Sequence, residues 1–428
     1  MSLSNLKDHI IVYSAASKDA DIEHEAAYTL RQTIAARTGD ELPVFVEKKE
    51  NAPTILLGKV TGLAPAIDEY ILQKTEDGFA LAAGSCAAYD DLLRAFLEAI
   101  EGEREIPTSA LPQKTADRSI GRRHGDLRVI YHNIFGYDRK PTINPQRRYA
   151  FEARLYREYD ADILCLQEYD SGSRKNLAPL LEQRGFEEVP VDQLGFPKNC
   201  SPILFDKTRV TPLDHGFYPF AYKSEVNELV CNNHDTKNAT WAVFEKNDTR
   251  KRFVVISMHY YYSPDASTDM TNRVESNKAR IENAKEIYAL IENTIRTKNG
   301  GAWKDLPILL GGDLNCGYSN RTLPSLVADC GGRIALDVME ELGMKPLQKN
   351  STVFADGTGS YCWYPTYNEE LGYYDSCGDP SSKTFDQSID HVFTFGEGLC
   401  GKTFDILDGS FAKKTSDHCP ILVDLDLE

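Results

Sequence analysis

The sequence predicts an α/β protein with a small α/β domain over residues 1–117, a linker over 118–126, and a larger domain over 127–428 in which two packed β-sheets carry helices on their outer faces. Three observations predict it. The 428 residues exceed what one ordinary hydrophobic core organises. After residue 126, short apolar runs recur between long polar stretches, as strands do. Segments with apolar residues three and four apart mark helices that lie on a sheet.

In the first domain Ile10 to Tyr13 read as a short strand, and Ile22 to Arg37 as a helix whose Ala26, Ala27, Leu30 and Ile34 share one face. Gly39 suits the helix C-terminus, and Leu42 to Val46 and Thr54 to Leu57 are further strands. Phe79 to Ala82 and a helix over Tyr89 to Ile100 complete the pattern. This stretch resembles the non-catalytic α/β domain that precedes the barrel in hexosaminidase-like and α-glucuronidase-like glycoside hydrolases. The residues that carry the resemblance are Glu25-Ala26-Ala27, Leu30, Thr38-Gly39 through Leu42-Pro43-Val44, and Ile55-Leu56-Leu57-Gly58. No barrel follows, so the resemblance implies an accessory domain, either a docking element or a carbohydrate contact, and no glycosidase activity.

Residues 113–126 hold Lys114, Arg118, Arg122, Arg123 and His124 with two glycines and no apolar period, which marks the linker. The net charge of −17 argues against a broad basic face for long nucleic acids. Residues 1–117 carry 11 Lys and Arg against 20 Asp and Glu, so neither domain is basic. The ten cysteines show no CxxC spacing, which disfavours a structural zinc site. No apolar run is long enough to span a bilayer and no secretory signal is visible. Met1-Ser2-Leu3 can stand in place of a natural start, so a cytoplasmic and a secreted address both stay open, as does the oligomeric state.

In the second domain the clearest strands are Leu127 to Tyr131, Ile163 to Leu166, Phe253 to Met258, Pro307 to Leu310, His391 to Phe395 and Ile421 to Leu425. Gln146 to Tyr159 and Asn272 to Arg296 are its long helices. Almost every strand has a polar residue at its edge: His132 and Asn133, Gln167 and Glu168, His259, Asp313 and Asn315, Asp390, and Asp417 with His418. Gly311-Gly312 let the backbone turn tightly or let a ligand come close, and deliver Asp313 and Asn315, two residues apart and so facing one way, to one substrate. Alone, each of these residues suits a turn or a structural histidine. Together they suit metal-assisted hydrolysis of a phosphate ester, in which a hard cation on carboxylates offsets the substrate's charge. Glu168 is the evident ligand, Asp313 the acceptor that orients a water, and Asn133, Asn315, His259 and His418 the donors for developing charge. Asp390 beside His418 would hold the imidazole in one orientation and raise its pKa. No Gly-x-Ser-x-Gly elbow supports a serine hydrolase.

The ordered set Asn133, Leu166-Gln167-Glu168, His259, Gly312-Asp313-Leu314-Asn315, Ile389-Asp390-His391 and Ser416-Asp417-His418 resembles the endonuclease/exonuclease/phosphatase (DNase I-like) superfamily. The resemblance implies a four-layered α/β sandwich with the site at the strand edges, and Mg²⁺ or Mn²⁺ as cofactor. It implies that Glu168 binds the metal with support from Asn133, that Asp313 positions the water, and that Asn315 and His259 contact phosphate. Asp390 then orients His418, and Asp417 assists metal or water binding. Two departures stand out. Phe135 occupies the place of a second acid, which implies one principal metal site, and Lys198 and Asn199 stand where abasic-site nucleases have other phosphate contacts.

The superfamily covers DNases, abasic-site nucleases, RNA deadenylases, inositol polyphosphate phosphatases and sphingomyelinases, so the site does not choose a substrate. A small lipid- or sugar-linked phosphate suits the acidic charge and the N-terminal resemblance. A nuclease suits the aromatic clusters at Phe217–Tyr222, Tyr260–Tyr262 and Tyr361–Tyr374, which could stack bases. A non-catalytic binding protein would need a damaged site, and no expected position is missing.

Overall fold

The computed structural model describes residues 3–17, 20–46, 52–102, 104–136, 145–191, 201–226, 237–262, 270–354, 359–361, 367–368, 373–374 and 384–428. The chain forms two compact units, Met1–Arg122 with Gly409–Phe411, and Arg123–Asp408 with Ala412–Glu428.

The first unit holds strands β1 (Ile10–Val12), β2 (Val44–Phe45), β3 (Thr54–Leu57), β4 (Glu69–Thr75), β5 (Gly78–Ala83) and β6 (Pro112–Lys114), with helices α1 (Ala20–Thr38) and α2 (Cys86–Glu101). The sheet runs β2-β1-β3-β5-β4-β6. Ser85 starts α2 by accepting a hydrogen bond from the Ala88 N–H, a cap worth about 1 kcal/mol. Two sequence expectations change here. β4 was not anticipated; its turn through Glu76 and Asp77 lets it pair antiparallel with β5 from Thr75–Gly78 to Tyr70–Ala83. Residues 113 and 114, read as linker, belong to β6, because Lys114 pairs in register with Glu69 and its Nζ lies 2.8 Å from Asp68.

The second unit is a sandwich of two sheets. One contains β7 (Leu127–Asn133), β8 (Ile163–Gln167), β9 (Phe186–Glu188), β10 (Ile203–Asp206), β16 (Thr352–Val353), β20 (Leu399–Ile406) and β21 (Ile421–Leu427), in the order β16-β20-β21-β7-β8-β10-β9. The other contains β11 (Val210–Pro219), β12 (Asn238–Lys246), β13 (Arg252–His259), β14 (Ile308–Asp313), β15 (Lys345–Pro346) and β19 (Asp390–Phe395), in the order β11-β12-β13-β14-β19-β15. A small hairpin, β17 (Tyr367–Asn368) and β18 (Tyr373–Tyr374), stands apart. Val129, Tyr131, Ile163 and Cys165 of the first sheet share one buried cluster with Ala242, Phe244, Val255, Leu309 and Val392 of the second, so this cluster is the inter-sheet core. Val254, Ile256, Ile308, Leu310 and Phe393 face the other way, onto α5 (Met270–Leu290) and the short helix Ala335–Glu341. On the far side, α3 (Pro145–Glu158) reaches the first sheet through Tyr156, whose hydroxyl meets His132 at 2.6 Å, and α4 (Ser171–Gln183) packs beside it. Helices, sheet, sheet and helices give four layers.

The strands run further than the apolar runs suggested. Asn133, His259 and Asp313 are the last residues of their strands and Asp390 is the first of its own, so all four lie inside hydrogen-bonded ladders. Gly311 and Gly312, expected to form a turn, are strand residues. A Cβ on Gly312 would lie 2.0 Å from the Met258 carbonyl oxygen and one on Gly311 2.6 Å from that of His391. Glycine is needed there for close backbone approach. The second long helix, expected to reach Arg296, ends as an α-helix at Leu290 and continues as a π-turn over Ile291–Ile295. Arg123 and His124, read as linker, are built into the second unit: Arg123 pairs with Asp160 and Asp162, and the His124 N–H donates to Asp424. Among the described residues, no helix is long and apolar enough to cross a membrane.

Candidate active site

Alternation along the strands decides what reaches the open end of the sandwich. On β13 the inter-sheet face is Phe253, Val255, Ser257 and then His259; on β14 it is Leu309, Gly311 and Asp313; on β19 it is Asp390 and Val392. The register places His259 beside Asp313 and Asp313 beside Asp390. Three of the candidate side chains therefore lie on one rung of the second sheet, all pointing at the first. From the facing sheet, Asn133 and Gln167 are a registered pair on the same inter-sheet face.

Asp313 is the hub. Its Oδ2 accepts from Asn133 Nδ2 at 2.9 Å and lies 3.3 Å from His259 Nε2, while its Oδ1 accepts from the Asn315 N–H at 2.8 Å. Burial would raise this carboxyl, but the contact with His259 and the positive side chains of His418 and Lys237 hold it well below the usual carboxylate range. Asp313 therefore stays ionised.

His418 is held from three directions. Its Nδ1 meets Asp390 Oδ2 at 2.8 Å, its carbonyl accepts from His132 Nε2 at 3.1 Å, and the Tyr361 ring packs edge-on at 4.9 Å. Burial opposes its charge, but Asp390 overcomes this and raises its pKa well above the ordinary histidine value. Burial in turn raises Asp390, which also accepts from the Ser360 hydroxyl at 2.6 Å. Nε2 of His418 faces Asp313 Oδ2 at 4.0 Å and Asp417 Oδ1 at 3.9 Å.

Glu168 follows β8 with φ of 58°, and Phe135 and Asn315 also take left-handed backbone at 52° and 51° just past β7 and β14. Non-glycine residues rarely do so, and their concentration at three strand ends marks a built site. The Glu168 carboxylate is near enough to raise both His259 and Asp417. Asp417 is pushed up to about 7, first by burial and then by Glu168 and Asp313 against the opposing His418. Asn315 Nδ2 donates to the Tyr260 carbonyl at 3.2 Å. Asn133 Oδ1 already accepts from the Phe135 N–H at 3.0 Å, so this amide holds Asp313 and the β7 turn together. By proximity the buried Asp313, Asp390 and His418 could hold a metal ion.

The structure thus brings Asn133, His259, Asp313, Asn315, Asp390, Asp417 and His418 together, with Glu168 beside them. Lys198 and Asn199 lie outside the described residues. Sequence reasoning missed Lys237, a buried lysine whose Nζ lies 2.5 Å from His259 Nε2. Nε2 of His259 thus lies between Lys237 Nζ and Asp313 Oδ2, while Nδ1 is buried without a hydrogen-bond partner. Burial, then Lys237, lowers the His259 pKa. Lys237 had no signal beyond standing one residue before β12. Ser360 was also missed, because its place against Asp390 is purely tertiary, and Tyr361, read from sequence as part of an aromatic cluster that could stack bases, packs against His418. His132 and His391 are structural: burial lowers their pKa to about 3 and about 4, and His391 Nε2 binds the carbonyls of Cys316 and Ser388.

No protein-family model matches this chain, and neither does any curated protein. Among solved structures it is similar to an endonuclease/exonuclease/phosphatase family protein of Bacteroides thetaiotaomicron, at 18% identity over 70% of this chain and 97% of that one, TM-score 0.44. It is similar to a mannosyl-6-phosphatase of Bacteroides thetaiotaomicron VPI-5482, at 17% identity over 70% and 99%, TM-score 0.46. It is similar to the catalytic domain of human Nocturnin with bound sulfate, at 16% identity over 72% and 97%, TM-score 0.41.

Proposed function

We propose that the second unit hydrolyses a phosphate ester by water attack with the help of a divalent cation, Mg²⁺ or Mn²⁺. The observation that carries this reading is the rung His259, Asp313 and Asp390, capped by His418 on one side and Asn133 on the other. The rung offers an ionised acceptor, a charged imidazole and several donors around one point.

The donor set fits a hard cation. Asp417 is a buried carboxylate raised to about 7 by burial and by Glu168 and Asp313, so the cluster carries more negative charge than its partners offset. Glu168 and Asp417 would hold the ion, with the second lone pair of Asn133 Oδ1 in support. The trio Asp313, Asp390 and His418 is the poorer seat, because the Asp390–His418 hydrogen bond at 2.8 Å already occupies a donor and an acceptor there. When bound, the cation offsets substrate charge and polarises a phosphoryl oxygen.

The protein's own groups account for the remainder. Asp313, fixed by Asn133 and the Asn315 N–H, accepts a hydrogen bond from the attacking water and aims its lone pair at phosphorus. As the water oxygen bonds to phosphorus and the bond to the alcohol oxygen breaks, charge grows on the non-bridging oxygens. The His418 imidazolium and the His259 ring supply donors to that charge. Asp390 keeps His418 charged and oriented.

A small lipid- or sugar-linked phosphate is the favoured substrate, since the chain is acidic and Lys237 is the lysine drawn into the site. A nuclease is the second reading, favoured by the Tyr361 ring against His418 and by Tyr262, 51% exposed just past β13. On this reading the first unit is an accessory α/β domain and the second the catalytic domain, and carbohydrate contact belongs to the first. The test is turnover of a bis-aryl phosphodiester, an aryl phosphomonoester, phospholipids, plasmid DNA and RNA, with Mg²⁺ or with EDTA, beside an Asp313→Ala control. Metal-dependent turnover that this substitution abolishes supports the reading. Turnover that survives EDTA or the substitution overturns it.

A further inference from the structure

The rung that carries His259, Asp313 and Asp390 does not stop at β13. The last registered pair between β12 and β13 is Ala239–Met258, so one step further Asn238 stands across from His259. Its side chain lies on the inter-sheet face: Ala239, Trp241 and Val243 of β12 pack in the helix-side core, and Ala242 and Phe244 pack between the sheets. Asn238 therefore extends the row to four, in the order Asn238, His259, Asp313, Asp390.

What sets Asn238 apart is that its side chain is buried and yet neither Nδ2 nor Oδ1 has a hydrogen-bond partner. Burying a primary amide with nothing to bond costs stability, and proteins rarely retain such a group without a use for it. Its neighbours do not satisfy it: Lys237 turns its Nζ to His259, and the Ser201 hydroxyl reaches only the Asn238 backbone carbonyl, at 3.5 Å. Nδ1 of His259, the side chain opposite on the rung, is likewise buried without a partner. Two side chains with unpartnered polar atoms, opposite each other on the rung that carries Asp313, describe a place for the polar atoms of a ligand. Asn238 is fully buried, and His259, Asp313 and Asp390 on the same rung are nearly so.

We propose that Asn238 is a substrate-contacting residue of this site, its Nδ2 donating to a non-bridging phosphate oxygen beside His259. This rests on the phosphoesterase reading. A structural asparagine and a ligand-binding one respond in opposite ways to leucine, which has nearly the same shape and no polar atoms.

The full-length protein and its Asn238→Leu and Asn238→Ala variants are compared in Mg²⁺ by melting temperature without substrate, by KM and kcat on a bis-aryl phosphodiester, and by calorimetric binding of inorganic phosphate. Asn238→Leu is expected to keep or raise Tm while KM and the Kd for phosphate rise about 10- to 100-fold, the value of a hydrogen bond to a charged group. A lowered Tm with unchanged KM and phosphate Kd overturns the proposal and leaves the phosphoesterase reading standing. If the wild type turns over none of the esters, that reading fails, and the phosphate measurement decides for Asn238. Binding weakened in both variants supports the contact, and equal or absent binding overturns it.

Discussion

The two ends of the sandwich are both rich in buried acid, and they treat it differently. At the end away from the site, Asp424 and Asp162 meet guanidinium groups. Asp424 takes both arms of the buried Arg128, at 2.7 Å each, and Asp162 accepts from Arg123 at 3.0 Å, Arg209 at 3.2 Å and the Arg128 N–H at 2.9 Å. At the site end, the bonds to Asp313 and Asp390 come from amides, a histidine and a serine. Arginine is permanently charged and forks onto carboxylate, so it closes a site electrostatically. Histidine and asparagine leave the negative charge incompletely offset and the donors adjustable. The first end is a clamp, and the second has the charge imbalance that a cation and a phosphate can fill.

The largest expected effect breaks the comparison at both ends at once. Asp313→Ala should lower kcat by about 10⁴-fold, at the upper limit for a positioned acid–base group, with little change in urea stability. Asp424→Ala should do the reverse, removing the carboxylate that takes both arms of the buried Arg128 guanidinium at a cost of about 3–5 kcal/mol while the folded fraction keeps its kcat. Asp424→Ala with normal stability, or Asp313→Ala with normal turnover, would dissolve the distinction.

Next is Asp390→Asn, expected to cost about 10²-fold or more in kcat. Asp390 raises the His418 pKa, and His418 works while protonated, so activity falls as pH rises through the folded pKa. Without Asp390 that alkaline limb should move to lower pH. An unmoved limb in a pH–rate profile would show that another group titrates there.

A smaller effect concerns Asp417. The folded chain holds its proton up to about pH 7, whereas the unfolded chain releases it in the ordinary carboxylate range. Without metal, this group therefore makes stability fall as pH rises through that window. A cation must displace the proton, so Mg²⁺ should bind more tightly at pH 8 than at pH 5.5, with proton release visible by calorimetry in two buffers. Asp417→Asn should flatten both trends. Smallest of all, Tyr156→Phe removes the hydroxyl behind His132 and should cost about 1 kcal/mol in denaturant melts with little change in kcat.

Much of the site was legible because each functional group sits at the end of an apolar run. Strand periodicity told which residues reach that end, and the recurrence of Asn, Glu, Asp and His there pointed to one chemistry. The turn expected at Gly311-Gly312 shows the limit of local reading. Two glycines before an acid are turn vocabulary, and only the Met258 and His391 backbones pressed against them explain why they continue a strand. Lys237 and Ser360 were not legible, since what places them is the meeting of distant segments.

The sequence by itself determined the α/β class, the covering helices and the order of Asn133, Glu168, His259, Asp313, Asp390 and His418, because alternation and helical period are local consequences of backbone geometry. Only the tertiary structure decided that Asn238, His259, Asp313 and Asp390 form one rung, since register belongs to pairs of strands and no single strand encodes it. It also decided which carboxylates are clamped and which stay reactive, because the pKa of a buried acid depends on the partners that distant strands bring to it.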